Sequence, residues 1–303
     1  MEYVGSGPYC FTNSLAMILG RQAPETSAIE VLTGAPFGAL LLNRRIPFFS
    51  PGGWNPSIGI DTAVDLLGWT CQSTSEFEAD EAIARLRAET DKAPVLVGPV
   101  EMGLLLHHPG SGTAIGADHY VVALGVSDEV VQFHDPHGFP YATLPIRDFL
   151  LAWRAESISY QRQPYAMRFD FSQVREVDLH VALRASASQA VSWLAKEEGG
   201  TSLVGEAALT TLAVQAEAGL EPDQHGHLVH FAVRVGARRL SDVSQWLGAI
   251  ELGRASQVAA IQSQLLGRLQ FDLVAGDSIE VADKLRKLAA LYTDLRDTLE
   301  TTA

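Results

Sequence analysis

Residues 5–20 read GSGPYCFTNSLAMILG, a glycine-rich loop followed by apolar residues at helical spacing and closed by a second glycine. The spacing predicts a helix that begins at about Cys10. A cysteine on the first turn of a helix lies near unpaired N–H groups and the positive end of the helix dipole, which favours the nucleophilic thiolate. Cys10 is therefore a candidate nucleophile. The alternative is a small buried hydrophobic side chain, which describes most free cysteines.

The composition limits the class of protein. The chain has 303 residues, 47% hydrophobic and 19% charged, which suffices for a sizeable core and suggests about two domains. A net charge of -14 argues against binding to nucleic acid or to an anionic membrane through bulk electrostatics. With two cysteines, neither a disulfide framework nor a cysteine-based zinc site is expected. The N-terminus lacks a basic region and a long apolar run, so we expect a cytoplasmic protein without a signal peptide or membrane span.

The pattern of apolar residues changes at about residue 173. Before it, short strands and helices alternate, and residues 119–135 form a predicted hairpin. After it, five candidate helices carry apolar residues at helical spacing. We therefore predict an α+β fold with an antiparallel sheet in residues 1–172 and an all-α domain in residues 173–303. The apolar stripes of that domain suit internal packing or a homo-oligomer interface.

The predicted hairpin brings two polar residues together. A cysteine nucleophile needs a base that takes its proton and a group that orients the base. Counting back from the turn, Val121 lies opposite Asp135, which makes His119 the diagonal neighbour of Asp135, roughly 7–8 Å away between backbones. An imidazole with a carboxylate behind it is the logic of a catalytic triad. The alternatives are a strand histidine bonded to a backbone carbonyl and an ordinary Asp-Pro turn.

Three motifs carry a resemblance to known enzymes, namely YCFTNS at 9–14, DHYVV at 118–122 and HDP at 134–136. They resemble papain-like cysteine enzymes, and most nearly the bacteriocin-processing peptidases. The order of the two halves, together with LTGAPFG at 32–38 and GID at 59–61, is similar to the butirosin-biosynthesis acyltransferase family.

This resemblance implies a papain-like catalytic domain over residues 1–172, with Cys10 as nucleophile, His119 as base and Asp135 as the orienting carboxylate. The acyltransferase family moves an acyl group from a carrier-protein thioester to an amine. The implied partners are therefore a small-molecule amine and an acyl donor, for which an acyl-carrier protein is one candidate. No cofactor is implied. Relatives of the same fold cleave peptides or amides, so a peptidase or amidase remains an alternative, as does a non-catalytic binding or scaffold protein.

One departure from the family concerns the oxyanion hole. Papain-like enzymes carry a glutamine a few residues before the cysteine, and this chain has none there. The backbone N–H of Cys10 then needs a second donor, for which Tyr3, Ser6 and Asn13 are candidates. Loss of one such donor commonly costs ~10²–10³ in rate. We therefore expect a replacement donor, a slow enzyme or an inactive one.

Other residues are candidates for binding. Adjacent residues such as His107 and His108 rarely both face one ion, and no third ligand is specified, so no metal site is predicted. The candidates for substrate binding are Phe37, Trp54, His134 and His137.

Overall fold

The computed structural model describes residues 1–5, 8–196 and 200–301. Its helices are α1 (Cys10–Leu19), α2 (Thr26–Leu32), α3 (Pro56–Leu66), α4 (Ala79–Thr90), α5 (Ile146–Trp153), α6 (Leu179–Leu194), α7 (Gly205–Ala218), α8 (Pro222–His227), α9 (Val233–Ala249), α10 (Gly253–Ala275) and α11 (Ser278–Glu300). Its strands are β1 (Leu40–Leu42), β2 (Ile46–Phe48), β3 (Trp69–Thr74), β4 (Val95–Glu101), β5 (Asp118–Val126), β6 (Val130–Asp135), β7 (Phe139–Pro145), β8 (Met167–Gln173) and β9 (Leu203–Val204). The fold thus combines helices with antiparallel sheets, as predicted.

The chain divides into two compact units, each built from two segments. The first unit comprises Met1–Thr26 and Gly68–Glu176, and the second comprises Ser27–Leu67 and Val177–Ala303. This division differs from the predicted boundary at residue 172, because residues 27–67 fold with the C-terminal helices. Strand β1 pairs with β9, about 160 residues later in the chain. Sequence periodicity does not report such a distant partner.

The first unit contains a six-stranded antiparallel sheet in the order β3-β8-β4-β5-β6-β7. Its core combines Val97, Val121 and Phe133 from the strands with Leu86 and Trp153 from the helices. Strand β7 was not predicted, because prolines near both of its ends disfavour a strand. It lies at the edge of the sheet, where proline is tolerated.

Helix α1 packs along β5 in the first unit. The Ser14 hydroxyl donates to the carbonyl of Tyr120 at 3.1 Å, and the Phe11 ring meets the Tyr120 ring edge-on. The apolar residues of the helix are buried except for the half-buried Ile18, and the predicted helix is confirmed, including its start at Cys10. This packing sets the first turn of α1 beside the beginning of β5, where His119 lies.

The second unit is mainly helical, and α7, α9, α10 and α11 supply most of its apolar core. It also contains a three-stranded antiparallel sheet in the order β2-β1-β9. The prediction that residues 173–303 are all-α is therefore wrong at β9, a two-residue strand too short to leave a periodic signal. In the described part of the chain, none of the helices combines the length and apolar character that a membrane span requires.

Candidate active site

Cys10 is the first residue of α1. Tyr9 before it has a non-helical backbone (φ -94°, ψ 65°), and the Asn13 N–H closes the first turn by donating to the Tyr9 carbonyl at 2.8 Å. The first N–H groups of an α-helix have no acceptor within the helix, and they carry the positive end of its dipole. The thiol of Cys10 is half-buried at this end.

The pairing of β5 with β6 brings His119 to Asp135. Val122 lies opposite His134, which sets Val121 opposite Asp135, the predicted register. The Nε2 atom of His119 lies 2.7 Å from Oδ1 of Asp135. The two residues are 3% and 0% exposed, respectively. The predicted contact between imidazole and carboxylate is thus present and shielded from water.

The side chain of Cys10 lies close enough to His119 to interact with its imidazole and to raise the pKa of that ring. Asp135 occupies Nε2, which leaves Nδ1 for the sulfur. The nitrogen that faces Asp135 therefore carries a proton. The structure thus brings together the three residues that the sequence predicted as a set.

The charges in this cluster reinforce one another. Burial alone lowers the pKa of His119, but the charge of Asp135 and hydrogen bonds with Asp135 and Cys10 raise it to about 10. Burial alone raises the pKa of Asp135, but the charge of His119 and hydrogen bonds from three histidines hold it far below its ordinary value. Both pKa shifts favour an imidazolium paired with a carboxylate over the neutral pair.

Two residues that the sequence analysis set aside also reach Asp135. The Nε2 atoms of His107 and His108 lie 2.7 Å and 2.5 Å from Oδ2 of Asp135. Neighbouring side chains on a strand point to opposite faces, but this pair lies on a turn in which the His108 N–H donates to the Leu105 carbonyl. The sequence HHPGSG at residues 107–112 indicates this turn, in which neighbouring side chains need not point to opposite faces.

The oxyanion candidates have different outcomes. The Tyr3 hydroxyl donates to the backbone carbonyl of Asp135 at 2.8 Å and accepts from the Gly138 N–H at 2.9 Å. Its one proton is thus committed, and the structure corrects its assignment from oxyanion donor to support for Asp135. Ser6 lies outside the described residues. Asn13, buried on α1 one turn after Cys10, stays a candidate.

Two candidates for substrate binding belong to the second unit. Phe37 is fully buried in that unit, so the proposal that it contacts substrate is wrong. The Trp54 indole N–H donates to the Thr33 carbonyl at 2.9 Å, and the ring lies 5.8 Å from the Arg239 guanidinium. Both aromatic rings contribute to the packing of residues 27–67.

The other two candidates flank Asp135. His134 is fully buried, and its Nδ1 accepts from the Tyr141 N–H at 3.0 Å, so it too is corrected from a substrate contact to a buried residue. His137 is exposed, and its ring stacks on that of His108 with centroids 5.2 Å apart. His137 therefore stays a candidate for contact with substrate.

Comparison with known proteins gives two matches. A family model described as the YobF C-terminal domain matches residues 198–300. The uncharacterized protein YobF of Bacillus subtilis (strain 168) is 29% identical over 304 residues, which cover 98% of this chain and 97% of that protein. The similarity to YobF therefore extends over nearly the whole chain and beyond the helical segment that the family model matches.

Proposed function

We propose that this protein is a cysteine-dependent acyltransferase whose first unit is papain-like. One observation carries the proposal, namely that Cys10, at the start of α1, interacts with His119, whose Nε2 in turn lies 2.7 Å from Oδ1 of Asp135. A half-buried thiol beside an imidazolium is the arrangement of an activated nucleophile. The order of a catalytic half and a helical half, which resembles the butirosin-biosynthesis acyltransferases, supports transfer as the overall reaction.

In the first half of the proposed reaction, the Cys10 thiolate attacks the carbonyl carbon of a thioester or amide. The carbonyl electron pair moves to oxygen, where the N–H groups at the start of α1 stabilise the negative charge. The tetrahedral intermediate collapses, and the leaving thiol or amine takes the proton from Nδ1 of His119. The products of this half are an acyl-Cys10 thioester and a neutral imidazole.

In the second half, an amine attacks the acyl-Cys10 carbonyl and loses a proton to Nδ1 of His119. Collapse expels the Cys10 thiolate and leaves an amide. The imidazolium and thiolate are thereby restored, so the protons balance over one cycle. Asp135 keeps the ring in the tautomer that each transfer needs and stabilises its positive charge.

The second cysteine of the chain provides an internal control for the first test. Cys71 lies on β3 in the same unit and is half-buried like Cys10. We expect iodoacetamide to alkylate Cys10 rapidly below neutral pH, and Cys71 only with the pH profile of an ordinary thiol. The variant His119→Asn should slow Cys10 to the rate of Cys71. Equal profiles for the two cysteines in the wild-type protein would contradict an activated nucleophile.

A second test distinguishes transfer from hydrolysis. The protein is given an acyl thioester of N-acetylcysteamine, with and without a panel of small amines, and the products are separated by mass spectrometry. Amide that depends on Cys10 supports transfer. Free acid alone, formed at the same rate with every amine, would replace transfer by hydrolysis with the same three residues.

A further inference from the structure

We propose that His107, His108 and Asp135 form a binding site for a divalent transition-metal ion of the zinc class, next to the proposed triad. The three ligand atoms are Nε2 of each histidine and Oδ2 of the carboxylate, and all lie within 4.8 Å of one another. This site is additional to the acyl-transfer chemistry, in which an ion takes no part.

The geometry needs only a small adjustment to accept an ion. The two Nε2 atoms lie 2.7 Å and 2.5 Å from Oδ2. Ligand atoms about 2.0–2.2 Å from a tetrahedral zinc ion lie roughly 3.3 Å from each other. The two pairs that include Oδ2 therefore need to open by about 1 Å or less, and the two Nε2 atoms already lie within 4.8 Å of each other. The side chains of His107 and His108 are 12% and 9% exposed, so the site lies close to the surface of the first unit.

The chemistry of the ligands selects the class of ion. Two imidazoles and one carboxylate match the three protein ligands found in zinc sites with an open fourth position. Calcium and magnesium prefer sites made of oxygen atoms alone, so they fit poorly here. The site also lacks a thiolate, which soft ions such as Cu(I) favour.

Asp135 can serve this site and the triad together, because its two oxygens have separate partners. Oδ1 accepts from Nε2 of His119 and from the backbone N–H of His137 at 2.7 Å. Oδ2 contacts only His107 and His108 among the hydrogen bonds described. An ion on Oδ2 would therefore fasten the turn that carries both histidines to the end of β6, without displacing His119.

The experiment measures binding directly. Protein stripped with a chelator is titrated with Zn²⁺ by calorimetry and with Co²⁺ by visible absorption, which reports the geometry of the ion. We expect one ion per chain and a thermal midpoint that rises with Zn²⁺ concentration. In the double variant H107N/H108N we expect affinity to fall by more than about 100-fold, since even loss of an outer partner costs 10–100-fold.

Two control variants locate the ion. His137→Asn removes the neighbouring imidazole, and Cys10→Ser removes the thiol. If neither residue is a ligand, each variant should change the Zn²⁺ affinity by less than about 3-fold, well below the 10–100-fold loss that follows removal of even an outer partner. Absence of binding to the wild-type protein, or loss of binding in Cys10→Ser with retention in H107N/H108N, would overturn the proposal. Neither calorimetry nor absorption requires acyl transfer. The metal site can therefore be confirmed or rejected even if the proposed acyltransferase activity is absent.

Discussion

Glu30 in the second unit and Asp135 in the first are both fully buried carboxylates, and they have different kinds of partner. In the second unit, Glu30 is fully buried and bonded to Nε of Arg239 at 2.7 Å. In the first unit, Asp135 is equally buried but is surrounded by imidazoles. A guanidinium stays charged at any pH that a protein tolerates, whereas an imidazole gains and loses a proton near neutrality.

This difference separates a structural ion pair from the pair that we propose to be reactive. Arg239 also donates to the Phe49 carbonyl at 3.2 Å, so its charge is fixed in place by the fold of the second unit. The partner of Asp135, His119, also interacts with Cys10, and in the proposed mechanism this imidazole accepts and returns a proton. Burial alone does not distinguish the two sites, but the titration behaviour of the partners does.

The largest expected effect follows from Asp135→Asn, which removes the charge that the reactive pair depends on. The amide cannot stabilise an imidazolium, and its NH₂ group can face Nε2 of His119. We expect the rate of acyl transfer to fall by up to about 10⁴-fold, as in triads that lose this carboxylate. The rate is measured with the thioester and amine assay, and Cys10 alkylation relative to Cys71 gives a second readout.

The matched control for that variant lies in the same hairpin. Asp128 is exposed at the turn and pairs with Arg87 at 3.0 Å, so Asp128→Asn should leave both readouts unchanged. If Asp135→Asn kept more than about a tenth of the rate, the carboxylate would have no role like that of a triad.

The next largest effect is on the stability of the protein, through the Glu30–Arg239 pair of the second unit. Glu30→Gln leaves the Arg239 guanidinium buried without a charged partner, which typically costs about 3–5 kcal/mol of unfolding free energy. Urea unfolding measures this loss.

The control variant Glu217→Gln breaks an exposed pair with Arg286 and should cost at most about 1 kcal/mol. While the protein stays folded, Cys10 alkylation should be unaffected by Glu30→Gln. A decrease would mean that the two sites are coupled.

The pH dependence of stability tests the pair of His119 and Asp135. Since the pKa of His119 rises from 6.5 to about 10 on folding, its stabilisation is complete below pH 6.5 and is lost as pH rises towards 10. The pKa of Asp135 is lowered from 3.8, so its contribution is present above pH 3.8 and is lost as pH falls further.

We therefore expect the free energy of unfolding, measured in urea with a chelator present, to fall by a few kcal/mol, on the order of the His119 shift, between pH 6.5 and 10. In His119→Asn most of this slope should disappear. A wild-type protein whose stability is constant over that window would contradict the strong pairing of His119 with Asp135.

The sequence predicted the reactive pair better than the structural one, for a physical reason. His119 and Asp135 lie on neighbouring strands of one hairpin, so strand register alone placed them within reach. Cys10 was identified from the glycine-rich loop before it and the helical spacing of apolar residues after it. Glu30 and Arg239 are 209 residues apart, and no local period connects them.

The residues that sequence analysis misjudged share another cause. His107 and His108 were dismissed by a rule for regular elements, yet they lie on a turn that frees both rings to face one oxygen. Phe37 and Trp54 looked like the wall of a cleft because aromatic residues gather in their loop, but that loop packs in the second unit. Composition identifies an ordered loop without identifying what it packs against.

The smallest expected effect comes from Tyr3→Phe, which tests support of Asp135 from its backbone side. Burial raises the pKa of Tyr3, so its hydroxyl stays protonated and donates to the Asp135 carbonyl throughout the working pH range. Removing the hydroxyl takes away this bond and the one from Gly138, which together should cost about 1–2 kcal/mol of unfolding free energy.

Tyr141→Phe, on an exposed tyrosine whose ring contacts His134, is the control for loss of a hydroxyl. Since Tyr3 acts on the backbone and not on the carboxylate, the rate of Cys10 alkylation should change less than about 10-fold. A rate loss as large as that of Asp135→Asn would instead place the Tyr3 hydroxyl in the proton path.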